Sequence, residues 1–153
     1  MQFDAQMKQV VLRSGEGEHV QLGQSSVVIK AGVETTDGRF ALTETTLGPG
    51  FPGPKPHVHR EILDMFFVLE GTLTMQLGEE TLDLFAGSFV LVPPGTAHTF
   101  SNRTDQPVRL LNIDAPAGLE SYLREMADAM ADDPIDPAAI AEIASRYDIA
   151  AAE

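Results

Sequence analysis

Gly87-Ser88-Phe89-Val90-Leu91-Val92-Pro93-Pro94-Gly95-Thr96-Ala97-His98-Thr99-Phe100-Ser101-Asn102 is the stretch from which the rest of the chain can be read. Phe89-Val90-Leu91-Val92 is a short run of strand-forming residues. Pro93-Pro94-Gly95 ends it with a turn, because proline removes a ladder N–H and glycine accepts positive φ. The chain is thrown back there, which brings His98 toward whatever lies across the strand. Earlier in the sequence stands His57-Val58-His59, two imidazoles at i and i+2, which on a strand face the same side. That spacing lets two nitrogens reach one metal ion, and the turn at 93–95 lets His98 join them.

Outward from this stretch the same texture repeats. Ser26-Val27-Val28-Ile29-Lys30, Phe40-Ala41-Leu42-Thr43-Glu44, Met65-Phe66-Phe67-Val68-Leu69, Leu73-Thr74-Met75-Gln76-Leu77 and Arg109-Leu110-Leu111-Asn112-Ile113 are short apolar-rich runs between glycine, proline and acidic turns. Closely spaced runs of this kind predict strands of a sandwich or barrel. Glu70-Gly71 and Gly78-Glu79-Glu80 are the expected hairpin turns. Pro52, Pro54 and Pro56 alternate before His57, so the approach is extended and cannot pair as a central strand. After Pro116 the period changes. Leu119, Tyr122, Leu123, Met126 and Met130 form one helical stripe. Asp133-Pro134 breaks it, and Asp136-Pro137 reads as an N-cap with proline at the first helical position. Ile140, Ile143, Ala144 and Tyr147 mark a second, shorter helix. The expected organisation is one domain, with a β-barrel over 1–116 and a two-helix extension of it over 117–153.

Composition narrows the chemistry. The 153 residues are 43% hydrophobic and 22% charged, an ordinary globular balance. There is no cysteine, which removes disulfides, thiolate metal sites and cysteine nucleophiles. Four histidines exist, and His19, in the polar turn Gly15-Glu16-Gly17-Glu18, is read as an exposed bystander. Ten basic residues against 23 acids give a net charge of −13, which repels phosphate backbones and anionic lipid. Nine of the acids, with two arginines, fall in 118–153, so the excess reads as a solvated C-terminal segment. No nucleic-acid or membrane partner is expected. No apolar run approaches the ~20 residues of a membrane span, and the first residues lack a secretory leader's features, so the expected location is cytoplasmic.

Two spaced motifs resemble those of the cupin superfamily. Gly87, Pro93, Gly95, His98 and Asn102 match its second signature, G-x5-P-x-G-x2-H-x3-N, at every fixed position. His57, His59 and Gly71 match the first, G-x5-H-x-H-x3,4-E-x6-G, which this chain departs from twice. Phe51 stands at the opening glycine position, between Gly50 and Gly53, and Asp64 stands where the family has glutamate. The stretch around 57–71 and the helical tail are also similar to small quercetin-dioxygenase-like cupins. The resemblance implies an all-β jelly-roll barrel with one divalent transition metal in its lumen. His57, His59, His98 and Asp64 would be its ligands, and such a set suits Fe, Mn, Co, Ni, Cu or Zn. It also implies a homodimer, formed through residues 1–12 as an exchanged edge strand or through the tail.

Asp64 is one methylene shorter than glutamate, about 1.5 Å of reach on a fixed backbone. The strand shifts and Asp64 binds, or Asp64 orients a ligand or water from behind, or the site is a three-histidine set. Glu61 continues the 57, 59 parity and is a rival carboxylate. A barrel without functional metal is the bland alternative. Alternation from Asp64 puts Phe66 and Val68 in the lumen, with Met75, Phe100, Phe40 and Leu42 as further lining residues for a small-molecule pocket. The functional expectation is a metal-dependent dioxygenase-like enzyme for a small aromatic or enolic substrate, with Asp64 or a water it holds as base. The alternatives are a redox-neutral isomerase or cyclase, and a non-catalytic binding protein.

Overall fold

The computed structural model of the chain describes residues 7–131 and 136–152. Its elements are β1 (Glu18–Leu22), β2 (Ser25–Ala31), the single-turn α1 (Val33–Thr36), β3 (Ala41–Leu47) and the two-residue β4 (His57–Val58). Then follow β5 (Leu63–Glu70), β6 (Thr72–Leu77), β7 (Glu80–Phe85), β8 (Phe89–Val92), β9 (His98–Ser101) and β10 (Val108–Ala115). The chain ends in α2 (Leu119–Ala131), α3 (Pro137–Ser145) and β11 (Ala150–Ala151). Residues 1–6 of the segment expected to exchange, and the helix stop at Asp133-Pro134, lie outside the described residues.

The strands form two antiparallel sheets, ordered β1-β2-β3-β10-β5-β8 and β11-β4-β9-β6-β7. They face one another over a shared core of Leu47, Phe66, Val68, Leu73, Met75, Val92, Val108 and Leu110, drawn from both sheets. Burial of each such side chain contributes about 1.5–3 kcal/mol. This is the jelly-roll architecture, built as two sheets packed face to face.

Gly78-Glu79 is the tight turn of the β6–β7 hairpin, since Leu77 pairs with Glu80 and Gly78 takes φ 59°. Glu70-Gly71 is different from the expectation. β5 and β6 belong to opposite sheets, so Gly71 marks a change of sheet and not a hairpin. Glycine is needed there because a Cβ would lie 2.6 Å from the Pro107 carbonyl.

The helical stripe is real, but its centre is shifted. Leu123 and Ala127 of α2 pack on Val20, Val27 and Ile29 of β1 and β2, a second small core. Glu120 is also on this face and is 1% exposed, beside Gly32. The Asp136 side chain caps α3 by accepting the Ala138 N–H at 2.9 Å. β11 then pairs with β4, Ala151 opposite His57, so the end of the chain adds a strand beside the histidines. No helix among the described residues is long and apolar enough to cross a membrane.

Candidate metal centre

β4 is short because Pro52, Pro54 and Pro56 supply no N–H before it. It pairs with β9 through one register position, His57 opposite His98. Side chains opposite one another across a ladder share a face, and their rings lie with centroids 4.5 Å apart. His59, two residues on, joins the same face, with its ring 5.0 Å from each of the others. The ligand nitrogens of all three lie within 4.8 Å of one another. Gly95 of the proline–glycine turn fixes this arrangement by donating its N–H to the His59 carbonyl at 2.8 Å.

Each imidazole is anchored from behind. Nδ1 of His57 meets the Lys55 carbonyl at 2.9 Å, that of His98 the Thr96 carbonyl at 2.9 Å, and that of His59 the Asp148 carbonyl at 2.6 Å. A carbonyl only accepts, so each Nδ1 carries the hydrogen and each Nε2 presents a lone pair. This is the outer contact by which proteins orient metal-binding imidazoles.

The opposite sheet contributes carboxylates. Asp64 of β5 is buried, with Oδ2 3.1 Å from His98 Nε2 and 3.4 Å from His59 Nε2. Its Oδ1 accepts from Asn112 Nδ2 at 2.6 Å, and Asn112 also binds the Met65 carbonyl at 3.0 Å. Asp64 is not a member of the mutually close histidine group. Asp114 stands opposite it in the β5–β10 register and is hydrogen-bonded to it. The donor set is therefore electron-rich on every side, with Nε2 lone pairs turned toward a carboxylate oxygen. Only a cation or added protons satisfy such a set, and the residues present fit a divalent metal.

The charge states follow from the same contacts. Burial alone would raise Asp64, but its close contacts with His59 and His98 and the hydrogen bonds from Asp114 and Asn112 outweigh it and hold its carboxyl well below the usual range. Burial and the Asp64 charge push Asp114 far up, so it keeps its proton. Burial lowers His57. His59 is raised, since its contacts with Asp64 and Asp148 outweigh burial.

Other expected site residues are distributed as follows. Phe66, Val68 and Met75 are buried in the core, and Phe100 packs against it. Phe66 and Phe100 lie 5.6 Å apart, and Phe66 is 6.4 Å from His98. Phe40 and Leu42 are corrections. Ala41, Thr43 and Leu47 are the buried positions of β3, so alternation turns Leu42 to the outer face, and Phe40 is 41% exposed. Glu61 is exposed, because the chain turns at 60–62 before the parity of His57 and His59 can continue. His19 is exposed, with its ring on the Gly15 carbonyl.

The sequence reading missed Asp148, Asn112 and Asp114. The Asp148 carboxylate accepts the N–H groups of Arg60, Glu61 and Ile62 at 2.7, 2.9 and 3.0 Å while its carbonyl holds His59. Nothing local in the sequence marks it. Asn112 and Asp114 carried a signal: polar residues alternating with Leu111 and Ile113 on the parity of buried Leu110.

A cupin-domain family profile matches residues 43–114. Quercetin 2,3-dioxygenase of Bacillus subtilis (strain 168) is 30% identical over 119 residues, 77% of this chain and 34% of that protein. The chain spans between 34% and 55% of the length of the curated relatives it matches. Among solved structures, KdgF from Halomonas sp. aligns over 74% of this chain and 99% of its own, with TM-score 0.65 and 15% identity. An RmlC-like cupin from Shewanella frigidimarina NCIMB 400 aligns over 76% and 98%, with TM-score 0.64 and 19% identity. With both histidine motifs converging between two jelly-roll sheets, these likenesses make the chain a member of the cupin superfamily.

Proposed function

We propose that this chain is a metal-dependent dioxygenase for a small enolic or phenolic substrate. The observation that carries the reading is the set of three Nδ1 anchors, which leaves three Nε2 lone pairs converging beside one ionised carboxylate. The likeness to quercetin 2,3-dioxygenase supports the oxygenase class. His57, His59 and His98 hold the metal, and Asp64 stands beside them. A divalent transition metal bound there would supply a Lewis acid able to acidify a substrate hydroxyl and to take part in O2 chemistry.

The remaining work belongs to the chain. Asp64 Oδ2 accepts a hydrogen bond from the acidic substrate hydroxyl, directly or through a water it holds, while Asn112 fixes Oδ1 so that one oxygen faces the reacting group. Asp114 keeps its own proton, so two adjacent carboxyls take different roles. Phe66 packs edge-on against His98 and Phe100 packs on Phe66, giving the site one apolar, aromatic side. A cleft of about 230 Å³ lies between the 61–62 turn, the 116–119 segment and residues 146–148, and its wall includes Asp148, whose carbonyl holds His59.

The test has two parts. Metal content is measured by inductively coupled plasma mass spectrometry on untagged wild type, Asp64→Ala and His98→Ala. Oxygen uptake is then followed with flavonols and diketones on the metal-loaded protein. A dioxygenase consumes one O2 per substrate, both oxygen atoms entering product. Metal lost in His98→Ala and stoichiometric uptake in wild type support the reading; a wild type that refuses metal removes it. A redox-neutral isomerase or cyclase is the second reading, favoured by the proton shared at Asp64 and Asp114, and it converts the substrate without oxygen uptake.

A further inference from the structure

On the five-stranded sheet, Leu73 and Met75 of β6 enter the core, so Thr74 and Gln76 between and after them face outward. Register sets two polar rows across that outer face, Asp83-Thr74-Ser101 and Thr81-Gln76-Thr99. Thr74 is nevertheless only 4% exposed, so the face is recessed at its centre. One wall of the recess is the segment from Pro52 to Pro56, which is clamped to β9. The Phe51 carbonyl accepts the Asn102 N–H at 2.9 Å, and the Pro54 carbonyl accepts from Thr99 Oγ1 at 2.5 Å. Gly53 is pressed so close that a Cβ there would lie 1.8 Å from the Phe100 carbonyl. Between the three prolines and the two polar rows lies a cavity of about 220 Å³, with Arg103 at its margin.

The cavity offers acceptors and donors together. Thr74 spends its hydroxyl hydrogen on Asp83 Oδ1 at 2.8 Å and Thr99 spends its own on Pro54, which leaves both oxygens as acceptors. The Gln76 amide nitrogen donates to the Gly78 carbonyl at 3.3 Å, and its Oε1 is a third acceptor. Thr81 and Ser101 add hydroxyls that can donate or accept. Arg103 is the one charged residue of the lining among the described residues, is exposed, and makes no ion pair among them. In a chain with 23 acids against ten bases, such a guanidinium is a local anion site.

We propose that this recess binds a small polyhydroxylated carboxylate. The guanidinium fork takes the carboxylate, the geometry for which arginine is suited. Ligand hydroxyls donate to Thr74, Gln76 and Thr99 and receive from Ser101 and Thr81, while its C–H edges lie on the proline rings. A bare sulfate has no hydrogens for the three acceptors, and a neutral polyol leaves Arg103 without its anion. The volume is below the ~300 Å³ at which pockets take drug-sized ligands, so the occupant is one small unit. The recess lies on the opposite side of the sheet from His98, which shares the inward parity of Leu77. None of its lining belongs to the histidine site, so its failure and that of the metal reading are separate.

The test is titration of the metal-stripped full chain with sodium D-gluconate, read by calorimetry and by amide chemical shifts at constant ionic strength. D-glucitol and sodium sulfate are the comparators. Metal is removed because hydroxy acids chelate it, so no binding arises through the histidines. Gluconate is expected to shift the amides of residues 74–76, 81 and 99–103. Arg103→Gln should weaken binding at least about tenfold and Ser101→Ala about threefold. Arg103 is exposed and Ser101 half-buried, and unchanged circular dichroism confirms that each variant is folded. Glucitol and sulfate should each bind at least about tenfold more weakly than gluconate. No saturable shift up to about 50 mM gluconate overturns the proposal. Sulfate binding as tightly as gluconate overturns the ligand class, leaving a simple anion site. Shifts centred on residues 57–59, or binding indifferent to Arg103→Gln, place the ligand elsewhere and overturn the site.

Discussion

Replacing Asp148 by alanine removes the carboxylate that accepts from Arg60, Glu61 and Ile62, yet leaves the carbonyl that anchors His59. Each hydrogen bond to a charged acceptor contributes about 1.5–3 kcal/mol. Arg60 and Glu61 are exposed, so water replaces the carboxylate at two of the three amides, whereas Ile62 is 5% exposed and its N–H is left unpaired. The expected loss is therefore about 2–3 kcal/mol and not the sum of three bonds, a fall of roughly 5–10 °C in melting temperature. The turn at 60–62 joins His59 to the strand bearing Asp64, so its loosening spreads to both. Groups that orient a metal ligand from behind typically change metal affinity 10–100-fold, and that range is expected here.

The assays are calorimetric melting of metal-stripped protein, titration with Ni(II) or Co(II), and hydrogen exchange at the amides of residues 60–62. Asp148→Asn keeps one acceptor oxygen but turns an NH2 toward the amides, so it falls between wild type and alanine. The pH dependence has a definite sign. Burial pushes the Asp148 carboxyl up, but the amides of Arg60, Glu61 and Ile62 and the nearby His59 outweigh it and hold its value below the ordinary range. Its stabilisation is thus fully present above the unfolded value near pH ~4 and is lost as pH falls through the folded one. Wild type and Asp148→Ala should converge in stability toward strong acid. If Asp148→Ala binds metal like wild type and its 60–62 amides remain equally protected, the tail covers the site without supporting it, and the reasoning fails.

Other substitutions test other parts of the argument. Asp114→Asn should stabilise the metal-free protein at neutral pH, because the raised Asp114 opposes folding as pH rises above the unfolded value near ~4. The gain should vanish below that pH, and a melting curve against pH reads it. Gly53→Ala should abolish folding or cost more than about 4 kcal/mol, since its Cβ would lie 1.8 Å from the Phe100 carbonyl at φ 81°. Gly50→Ala, at φ 71° with nothing near its Cβ, should cost only about 1 kcal/mol, so denaturant melts of the pair separate collision from backbone strain. Asn102→Ala should cost about 3–4 kcal/mol in the same melts, because Nδ2 of this buried residue binds the carbonyls of Leu47, Gly48 and Gln106 at 3.2, 3.0 and 2.7 Å.

The strand positions were legible because alternation and turn residues are local properties, and each quoted run lies on a strand, Phe40 alone falling just before β3. His57, His59 and His98 were legible because a strand's parity and a proline–glycine turn fix where side chains point. What failed had a non-local cause. A strand read alone has no preferred face, so Leu42 reads as a lumen residue; the face is set by burial of Ala41 and Thr43 against other elements. Glu70-Gly71 reads as a hairpin until one knows that β5 and β6 pair in opposite sheets. Asp148 is beyond sequence reasoning, because its partners lie 86 to 89 residues away. Its role exists only once the tail has docked as β11 on β4.

The aspartate at position 64 takes on a different meaning in the folded chain. On a bare backbone it looks too short to reach a metal held by three histidines. In place, its Oδ2 already lies 3.1 and 3.4 Å from two of the ligand nitrogens. A glutamate there would carry the carboxylate about 1.5 Å farther, into the imidazoles, unless β5 drew back. β5 is held by its ladder to β10 and β8, and Asp64 by Asn112, whose amide also grips the Met65 carbonyl of the same strand. Aspartate and asparagine therefore act as a matched pair. One supplies a carboxylate of limited reach, and the other comes from the neighbouring strand to orient it. The shorter side chain also brings the carboxylate back to the sheet, where Asp114 can share its proton; a longer one would leave Asp114 buried without that partner. The departure from the family's glutamate is thus built into three residues of two strands, consistent with a proton-handling carboxylate beside a three-histidine set.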